Sequence, residues 1–443
     1  MGKIWKTIMM MAIATSGICV NAAEASPKSM KDSVNCLHQM LWTRMIDRNS
    51  GVMFDYSDLD GKVEIPTPEE CLAGKPNALS WWTPIENGAF FNGLYIDALC
   101  NRWLAEKDPE TKKEAKMLAD GLLLLQKVGK RPGFIARGVS TDGRTHYPIG
   151  SDDQTFPWFY GLWKYIHSGI PSQEEKRNIQ EKMIEVATAL QQQHWRMPCE
   201  EPYLVRGSWN SEDLSHAVRI VFVSQIMFEL TGDKKWSKSL DDVITFRFKS
   251  GRSRLDVIAN GCPEMRIDQT WIFASSIAAL RELWRMEKDN NRRKKYKESL
   301  SKVGATAAPF IAFYSKFKDN SNVKYRGNWR VMNQIYRPQP KVKDAVELAM
   351  DQVKLWNADS PRISREKRFV MLPLFSAWIV LLSEDDALIK KKMPMIQTVM
   401  GYYPWAKLHL SACFVGENIY SEIITRKLSE KTNQKEQDNH KGI

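Results

Sequence analysis

The sequence is poor in cysteine, with seven in 443 residues, and the seven lie far apart. No two of them form a C-x-x-C pair, and no cluster of histidine and cysteine has the spacing of a zinc site. This spacing argues against a disulfide framework and against a structural zinc, although a single disulfide stays open in an oxidising compartment.

Motifs that identify a common chemistry are also missing. The glycines between residues 129 and 143 do not form a phosphate-binding loop, because no G-x-x-x-x-G-K-[ST] follows a strand there. The motifs H-E-x-x-H and G-x-S-x-G and an EF-hand loop do not occur. The sequence therefore gives no sign of a P-loop nucleotidase, a zinc protease, a calcium sensor or an α/β-hydrolase, and we expect neither a cofactor nor a metal.

Long apolar runs are absent after the N-terminus. Lys3 and Lys6 precede the apolar stretch 8–20, and the residues up to Ala22 have the form of a cleavage site, so residues 1–22 are predicted to be a secretory signal peptide. We expect export across the inner membrane to the periplasm or cell surface, with no integral membrane segment after cleavage. Ile18 before Cys19 disfavours a lipid anchor, which normally requires a small residue there.

The sequence contains fewer acidic residues than basic ones. The formal charge of +12 falls to about +10 once Lys3 and Lys6 are removed with the signal peptide, and this excess favours anionic partners. For an exported protein we expect an acidic oligosaccharide or polysaccharide rather than a nucleic acid. Part of the excess lies in basic runs such as 292–295 and in the polar tail 427–443, which is expected to be disordered. The oligomeric state is not indicated.

Apolar residues recur with the helical period along most of the chain. Short turns at 107–109 and 231–233 join neighbouring helices into pairs, and strand-like alternation is confined to 203–206 and 323–325. The predicted helices are 34–48, 89–106, 112–128, 155–168, 172–193, 212–231, 234–248, 269–286, 291–317, 341–355, 367–382, 387–400 and 407–426.

The helix pairs recur at a roughly regular distance. Successive pairs begin at Asn87, Asp153, Asp213, Asp268 and Trp329, which are 55 to 66 residues apart. Such a period indicates a repeat architecture, but it is too long and too uneven for an open tetratricopeptide-like solenoid. No linker interrupts the chain, so we predict one all-α domain over residues 23–426, an (α/α)6 toroid of about six helical hairpins.

Two sequence blocks open predicted helix pairs. They are Trp81–Cys100 (WWTPIENGAFFNGLYIDALC) and Ile149–Trp163 (IGSDDQTFPWFYGLW). With the repeated hairpins and the signal peptide, these blocks resemble the six-hairpin toroid enzymes that act on carbohydrates, in particular unsaturated glucuronyl hydrolases and toroid-fold polysaccharide lyases. The resemblance implies cleavage of an oligosaccharide that contains uronic acid. Where the hydrolases place an aspartate in the first block, this chain has Glu86, Asn87 and Asn92.

In a closed ring of hairpins, the loops before the inner helices meet at one mouth. Aromatic rings there would stack on sugar C–H faces, and arginines would hold a uronate carboxylate with two hydrogen bonds. Each aspartate at a helix start has N-capping as its alternative role. The predicted catalytic residues are Asp153, Asp213, Asp268, Glu86, His146 and Tyr147. The predicted substrate-binding residues are Trp81, Trp82, Asn87, Arg137, Trp158, Arg206, Trp209, Asn210, His216, Arg266, Trp329 and Arg330.

Three functions fit these residues. Glycoside hydrolysis comes first and needs an acid and usually a second carboxylate; Asp152 and Asp153 cannot face the same way, so we choose Asp153 with Glu86, Asp213 or Asp268. The second function is β-elimination at a uronate, with His146 and Tyr147 as candidates for the base and arginine or asparagine neutralising the carboxylate. The third is a non-catalytic glycan-binding protein that uses the same tryptophans and arginines.

Overall fold

The computed structural model describes residues 29–427 except 263, 264 and 266–268. The predicted signal peptide, with Cys19, therefore lies outside the described residues. So do the predicted site residues Arg266 and Asp268 and all but the first residue of the predicted tail 427–443.

Helices dominate the described residues, as the sequence predicts, and the all-α class is confirmed. The helices are α1 Met30–Arg44, α2 Pro68–Leu72, α3 Gly88–Glu106, α4 Pro109–Lys127, α5 Asp152–His167, α6 Gln173–Gln192, α7 Leu214–Thr231, α8 Lys234–Thr245, α9 Arg254–Asn260, α10 Thr270–Met286, α11 Asn290–Ala307, α12 Val342–Asp359, α13 Pro361–Glu366, α14 Leu372–Leu382, α15 Asp386–Tyr402 and α16, residues 415–427. The turn Lys367–Met371 joins α13 to α14 as one π-helical turn.

Two small antiparallel ribbons complete the regular structure. β1 Ile46–Asp47 pairs with β2 Val52–Met53, and β3 Arg196–Pro198 pairs with β4 Val205–Ser208. The strand predicted at 203–206 overlaps β4, whereas the strand predicted at 323–325 is irregular chain.

Four predicted boundaries are wrong. The helix predicted over 34–48 starts at Met30 and ends at Arg44, and the chain then turns into the ribbon of β1 and β2. The helix predicted over 291–317 ends at Ala307 and continues as a 3-10 helix, Ala308–Lys316, because Pro309 cannot donate an α-helical hydrogen bond. The helix predicted from 407 starts at 415. Trp329 begins a short 3-10 helix, Trp329–Ile335, and not a new pair.

The long helices fall into two classes of burial. α3, α5, α7, α10 and α14 are buried on nearly all sides, whereas α4, α6, α8, α11 and α15 bury one stripe and expose the rest. Each buried helix packs on the amphipathic helix that follows it, and α3, α5, α7, α10 and α14 also pack on one another in that order. α16 contacts both α3 and α10, through Asn418 to the Leu94 carbonyl (3.0 Å) and through Glu422 to Arg281 (2.6 Å).

α3 and α5 cross at unusually short range. A Cβ at Gly93 would lie 2.1 Å from the Pro157 carbonyl oxygen, and one at Gly161 would lie 2.6 Å from the Gly93 carbonyl oxygen. Only glycine permits two helix backbones to approach this closely. The crossing fixes the starts of the two helices, Gly88 and Asp152, relative to each other.

The described residues hold six cysteines, and no disulfide joins any two of them. None of the helices among these residues has both the length and the apolar character needed to cross a membrane.

Replacing Gly93 by alanine is expected to lower the free energy of unfolding by about 3 kcal/mol, because the added methyl group overpacks a backbone contact. Urea unfolding followed by circular dichroism measures the loss. The matched control is Gly401→Ala in α15, where a Cβ would meet no atom within 4 Å, so alanine is expected to be neutral or slightly stabilising there. Equal unfolding midpoints for the two variants would contradict a tight crossing.

Candidate active site

A chain of hydrogen bonds joins the start of α3 to the start of α5. Asp55 accepts from the Asn87 amide N–H (2.8 Å) and from Asn87 Nδ2 (2.6 Å). The Asn87 side-chain oxygen accepts from Gln154 Nε2 (2.8 Å), and Gln154 Oε1 accepts from the Phe90 amide N–H (3.0 Å). Asn87, which precedes α3, is therefore held by both its neighbours and does not cap its own helix with its side chain.

Asp55 has the most strongly shifted pKa of this group. Burial, followed by the charge of Glu86, raises the pKa of Asp55 to about 8, although the Asn87 hydrogen bonds and the charge of Lys367 act in the opposite direction. Asp55 therefore keeps its proton at neutral pH, since a buried carboxyl next to a second acidic group ionises only at a cost. Glu86 is the more exposed of the two, and its side chain accepts from the Trp82 amide N–H (2.9 Å).

Arg137 connects the backbone of Glu86 to Asp153. Its guanidinium is almost fully buried and donates to the Glu86 carbonyl (3.0 Å) and to Ser151 Oγ (2.8 Å). Ser151 in turn donates to Asp153, and Arg137 Nη2 lies 3.9 Å from Asp153 Oδ1. Asp153, in the first turn of α5, thus faces the same arginine as Glu86.

Asp152 points into a different network, as the adjacent positions require. Its Oδ2 accepts from His216 Nε2 (2.9 Å) and from Arg219 Nη1 (2.7 Å), and His216 Nδ1 bonds to Asp213. Burial opposes these contacts, but they outweigh it: the pKa of His216 rises to about 9 and that of Asp152 falls well below its usual range. Gly207 permits the approach, since a Cβ there would lie 2.5 Å from Asp152 Oδ1.

Asp213 has two roles. As the N-cap of α7 it accepts from the His216 amide N–H (3.0 Å), and its other oxygen bonds to the His216 ring. Capping, the alternative that the sequence left open for this residue, is therefore present. His216 is clamped between two carboxylates on α5 and α7, so the starts of three buried helices meet here.

Two adjacent tryptophans, Trp81 and Trp82, form an apolar wall of the candidate active site. Trp82 has a positive φ of 72°, which is rare for a bulky residue, and its Nε1 donates to the Ala349 carbonyl of α12 (2.9 Å). The Arg206 guanidinium lies 5.6 Å from the ring centre of Trp81, and Lys367 Nζ lies 6.0 Å from that of Trp82. Among the described residues neither cation has an ion-pair partner.

Three predicted tryptophan contacts are wrong because the rings belong to the core. Trp158 is fully buried and donates to the Leu122 carbonyl (2.8 Å). Trp209 is fully buried behind Asp152, to whose carbonyl it donates (3.3 Å). Trp329 is fully buried and donates to the Glu64 carbonyl (2.6 Å). None of the three exposes a face on which a sugar could stack.

Four further predicted site residues make their hydrogen bonds or ion pairs elsewhere in the structure. His146 lies between the Arg144 carbonyl (2.9 Å) and Glu200 (3.0 Å), on a cavity of about 810 Å³ behind the loop. Buried Tyr147 donates to the Lys75 carbonyl. Arg330 is held by Glu64 and Glu70, and exposed Asn210 donates to the His194 carbonyl (2.6 Å).

Several residues of the site carry no signal in the sequence. Asp55 and Lys367 lie far from the helix-start blocks along the chain, and Arg219 is an interior residue of α7. The sequence favours Asp153 over Asp152, because it does not show that an aspartate at one helix start pairs with a histidine in the first turn of another helix. Only the folded structure shows this pairing. Arg219 Nε and Nη2 are buried and have no hydrogen-bond partner in the part of the chain described.

His216 is expected to stabilise the fold most at low pH. Its folded pKa of about 9 exceeds the ordinary 6.5, so the contribution is complete below pH 6.5 and is lost as the pH rises through 9. Urea unfolding of the wild type and His216→Gln at several pH values measures it: the gap in unfolding free energy narrows between pH 6.5 and 9. A gap that stays constant over that window, or a ring resonance of His216 that titrates near 6.5, would refute the clamp.

Comparisons with protein-family models, with curated proteins and with solved structures found no match to this chain. The side chains at the starts of α3, α5 and α7 therefore carry the functional assignment.

Proposed function

We propose that the protein is an exported enzyme that hydrolyses an oligosaccharide containing uronic acid by carboxylate acid–base catalysis. The observation that carries the proposal is Asp55, a buried carboxyl whose pKa of about 8 lets it keep a proton at neutral pH beside Glu86. Hydrolysis of a glycosidic bond needs such a group, since a carboxylic acid must protonate the leaving oxygen.

We further propose that the helices close into an (α/α)6 toroid. The support is the pairing of each buried helix with an amphipathic partner, together with the contacts of α16 to α3 at one side and α10 at the other. In such a ring the starts of the inner helices would open on one mouth, formed by the residues of the candidate active site.

The roles divide according to exposure. Glu86 is more accessible than Asp55, so Glu86 would meet the leaving oxygen, and buried Asp55 would be the source of the proton. Asp153, held beside Arg137, would act as the base that activates water. This assignment keeps Asp153 as the first choice and makes Glu86 its partner, with Asp55 as an addition that the sequence did not suggest.

Recognition of an acidic sugar rests on the two unpaired cations. Arg206 and Lys367 lie against adjacent tryptophans and have no carboxylate of their own. A uronate carboxylate would supply the missing charge, and the Trp81 and Trp82 rings would take the apolar face of the sugar.

Elimination is the weaker alternative because its candidate bases are occupied. His216 stays protonated to a pH of about 9 and contacts a carboxylate through each ring nitrogen. Burial holds the pKa of Tyr147 well above 10, and His146 is bonded at both nitrogens. A non-catalytic glycan-binding protein, the third possibility, would not need a buried carboxyl that retains a proton.

Incubation with saturated and unsaturated uronic-acid oligosaccharides tests the reaction. Reducing ends are expected to appear as water cleaves the glycosidic bond. With unsaturated substrates the ultraviolet absorbance of the C4–C5 double bond is then expected to fall, because the released unsaturated uronate opens to an enol that becomes a keto acid. Asp153→Asn and Glu86→Gln are each expected to lower kcat about 100-fold or more, as loss of a general acid or base does. The matched control is Asp241→Asn on the exposed side of α8, which should leave kcat unchanged.

A rise in that absorbance would identify elimination instead. Binding without any product would favour the glycan-binding protein. Activity that survives in both carboxylate variants would contradict the assignment of the acid and base.

The pH profile tests Asp55 as the source of the proton. Above a pH of about 8 Asp55 loses its proton, so kcat/KM is expected to fall there. Lys367 lowers the pKa of Asp55, so Lys367→Met should move this fall to higher pH as well as weaken binding. The same profile for Asp241→Asn should match the wild type. Two results would contradict this role of Asp55. One is a wild-type kcat/KM that stays constant through pH 9, and the other is a fall in kcat/KM that occurs at the same pH in Lys367→Met as in the wild type.

A further inference from the structure

A second cavity, of about 870 Å³, lies away from the candidate active site. It is bounded by the end of α6, the residues before β3, and helices α7, α8 and α9. Six of its lining residues are cationic or aromatic: His194, Trp195, Lys235, Lys238, Phe246 and Arg254.

Arg254 is the unusual member of this lining. Its side chain is 2% exposed, yet the one hydrogen bond that its guanidinium makes with the described residues runs from Nη1 to the Val243 carbonyl (2.5 Å). Its buried Nε has no partner among these residues, and the guanidinium lies against the rings of Phe246 (4.8 Å) and Phe248 (5.4 Å). Burial lowers its pKa to about 10, and no carboxylate of the described residues forms an ion pair with it.

Other buried arginines of the described residues do have carboxylates. Arg281 pairs with Glu422 (2.5 Å), Arg102 with Glu417 (2.8 Å), and Arg219 with Asp152 (2.7 Å). Removing a guanidinium from water costs several kcal/mol unless an opposite charge compensates. Arg254 bears this cost while facing a cavity, which is the arrangement expected when the missing anion comes from a ligand.

The rim of the cavity is also positive. Lys235 and Lys238 project from α8, are exposed and make no ion pair within the described ranges, whereas Asp242 is the one acidic residue of the lining. Phe246 is 46% exposed next to Arg254, and Trp195 stacks on Trp209 at the inner wall. The cavity therefore offers a buried cation, a basic rim and apolar rings.

We propose that this cavity binds an acidic sugar, with Arg254 holding the carboxylate or sulfate, Lys235 and Lys238 at the rim, and Phe246 packing against the ring. A guanidinium holds either anion with two parallel hydrogen bonds. The proposal stands apart from the hydrolase proposal, since none of these residues belongs to the candidate active site.

Isothermal titration with D-glucuronate, D-glucose 6-sulfate and D-glucose tests the site. The two acidic sugars are expected to bind and neutral glucose is not, and the stronger acidic sugar identifies the preferred anion. Arg254→Met should weaken binding about tenfold or more, since charge-assisted hydrogen bonds are lost. Lys235→Gln with Lys238→Gln should weaken it severalfold, and Lys234→Gln, a neighbouring α8 lysine outside the lining, should not.

Stability separates binding from a structural role. Because Arg254 is buried without a carboxylate, Arg254→Met is expected to keep or raise the melting temperature. A large drop in melting temperature would assign Arg254 to folding and overturn the proposal. Arg206→Met, a variant of the candidate active site, is expected to bind the acidic sugars as the wild type does. If Arg206→Met no longer binds them, the sugars occupy the candidate active site and the proposal fails.

Two further results would overturn it. One is equal affinity of Arg254→Met and the wild type for both acidic sugars. The other is glucose binding as tightly as the acidic sugars, or no heat of binding with either acidic sugar.

Discussion

The contact between α3 and α5 at Gly93 and Gly161 is the constraint on which the candidate active site depends. Two helix backbones touch there, so their separation is set by the absence of side chains and not by adjustable packing. The start of each helix holds one side of the hydrogen-bond chain from Asn87 to Gln154. A wider crossing would open that chain and release Asp55, which depends on Asn87 for its position.

Uncompensated charge distinguishes functional groups from structural ones in this interior. Arg281 with Glu422 satisfies the usual requirement that a buried ion has a partner. Asp55 and Arg254 have no such partner among the described residues: burial raises the pKa of the first and lowers that of the second. Each costs stability, and Arg254 lines a cavity where a ligand can complete its interactions. Unfavourable electrostatics retained at an opening are more typical of sites than of scaffolds.

The sequence predicted the helices well and the site only in part. Helical periodicity is local, so the two classes of helix and most boundaries could be predicted, whereas the Ala308–Lys316 segment changed type at a proline. The aromatic run of α5 was misinterpreted, because a helix buried on all sides places rings such as Trp158 in the core. Asp55 follows β2, far from Asn87 in the chain, and only the folded contact reveals it.

The adjacent residues Asp152 and Asp153 show how one helix start serves two purposes. Successive side chains on a helix diverge, so Asp152 enters the His216 and Arg219 network while Asp153 turns to Arg137. The first network fixes an imidazolium and a guanidinium against two carboxylates, which removes His216 as a base. The proposed hydrolysis needs an acid for the leaving oxygen, and Asp55 beside Glu86 keeps a proton for that step at neutral pH.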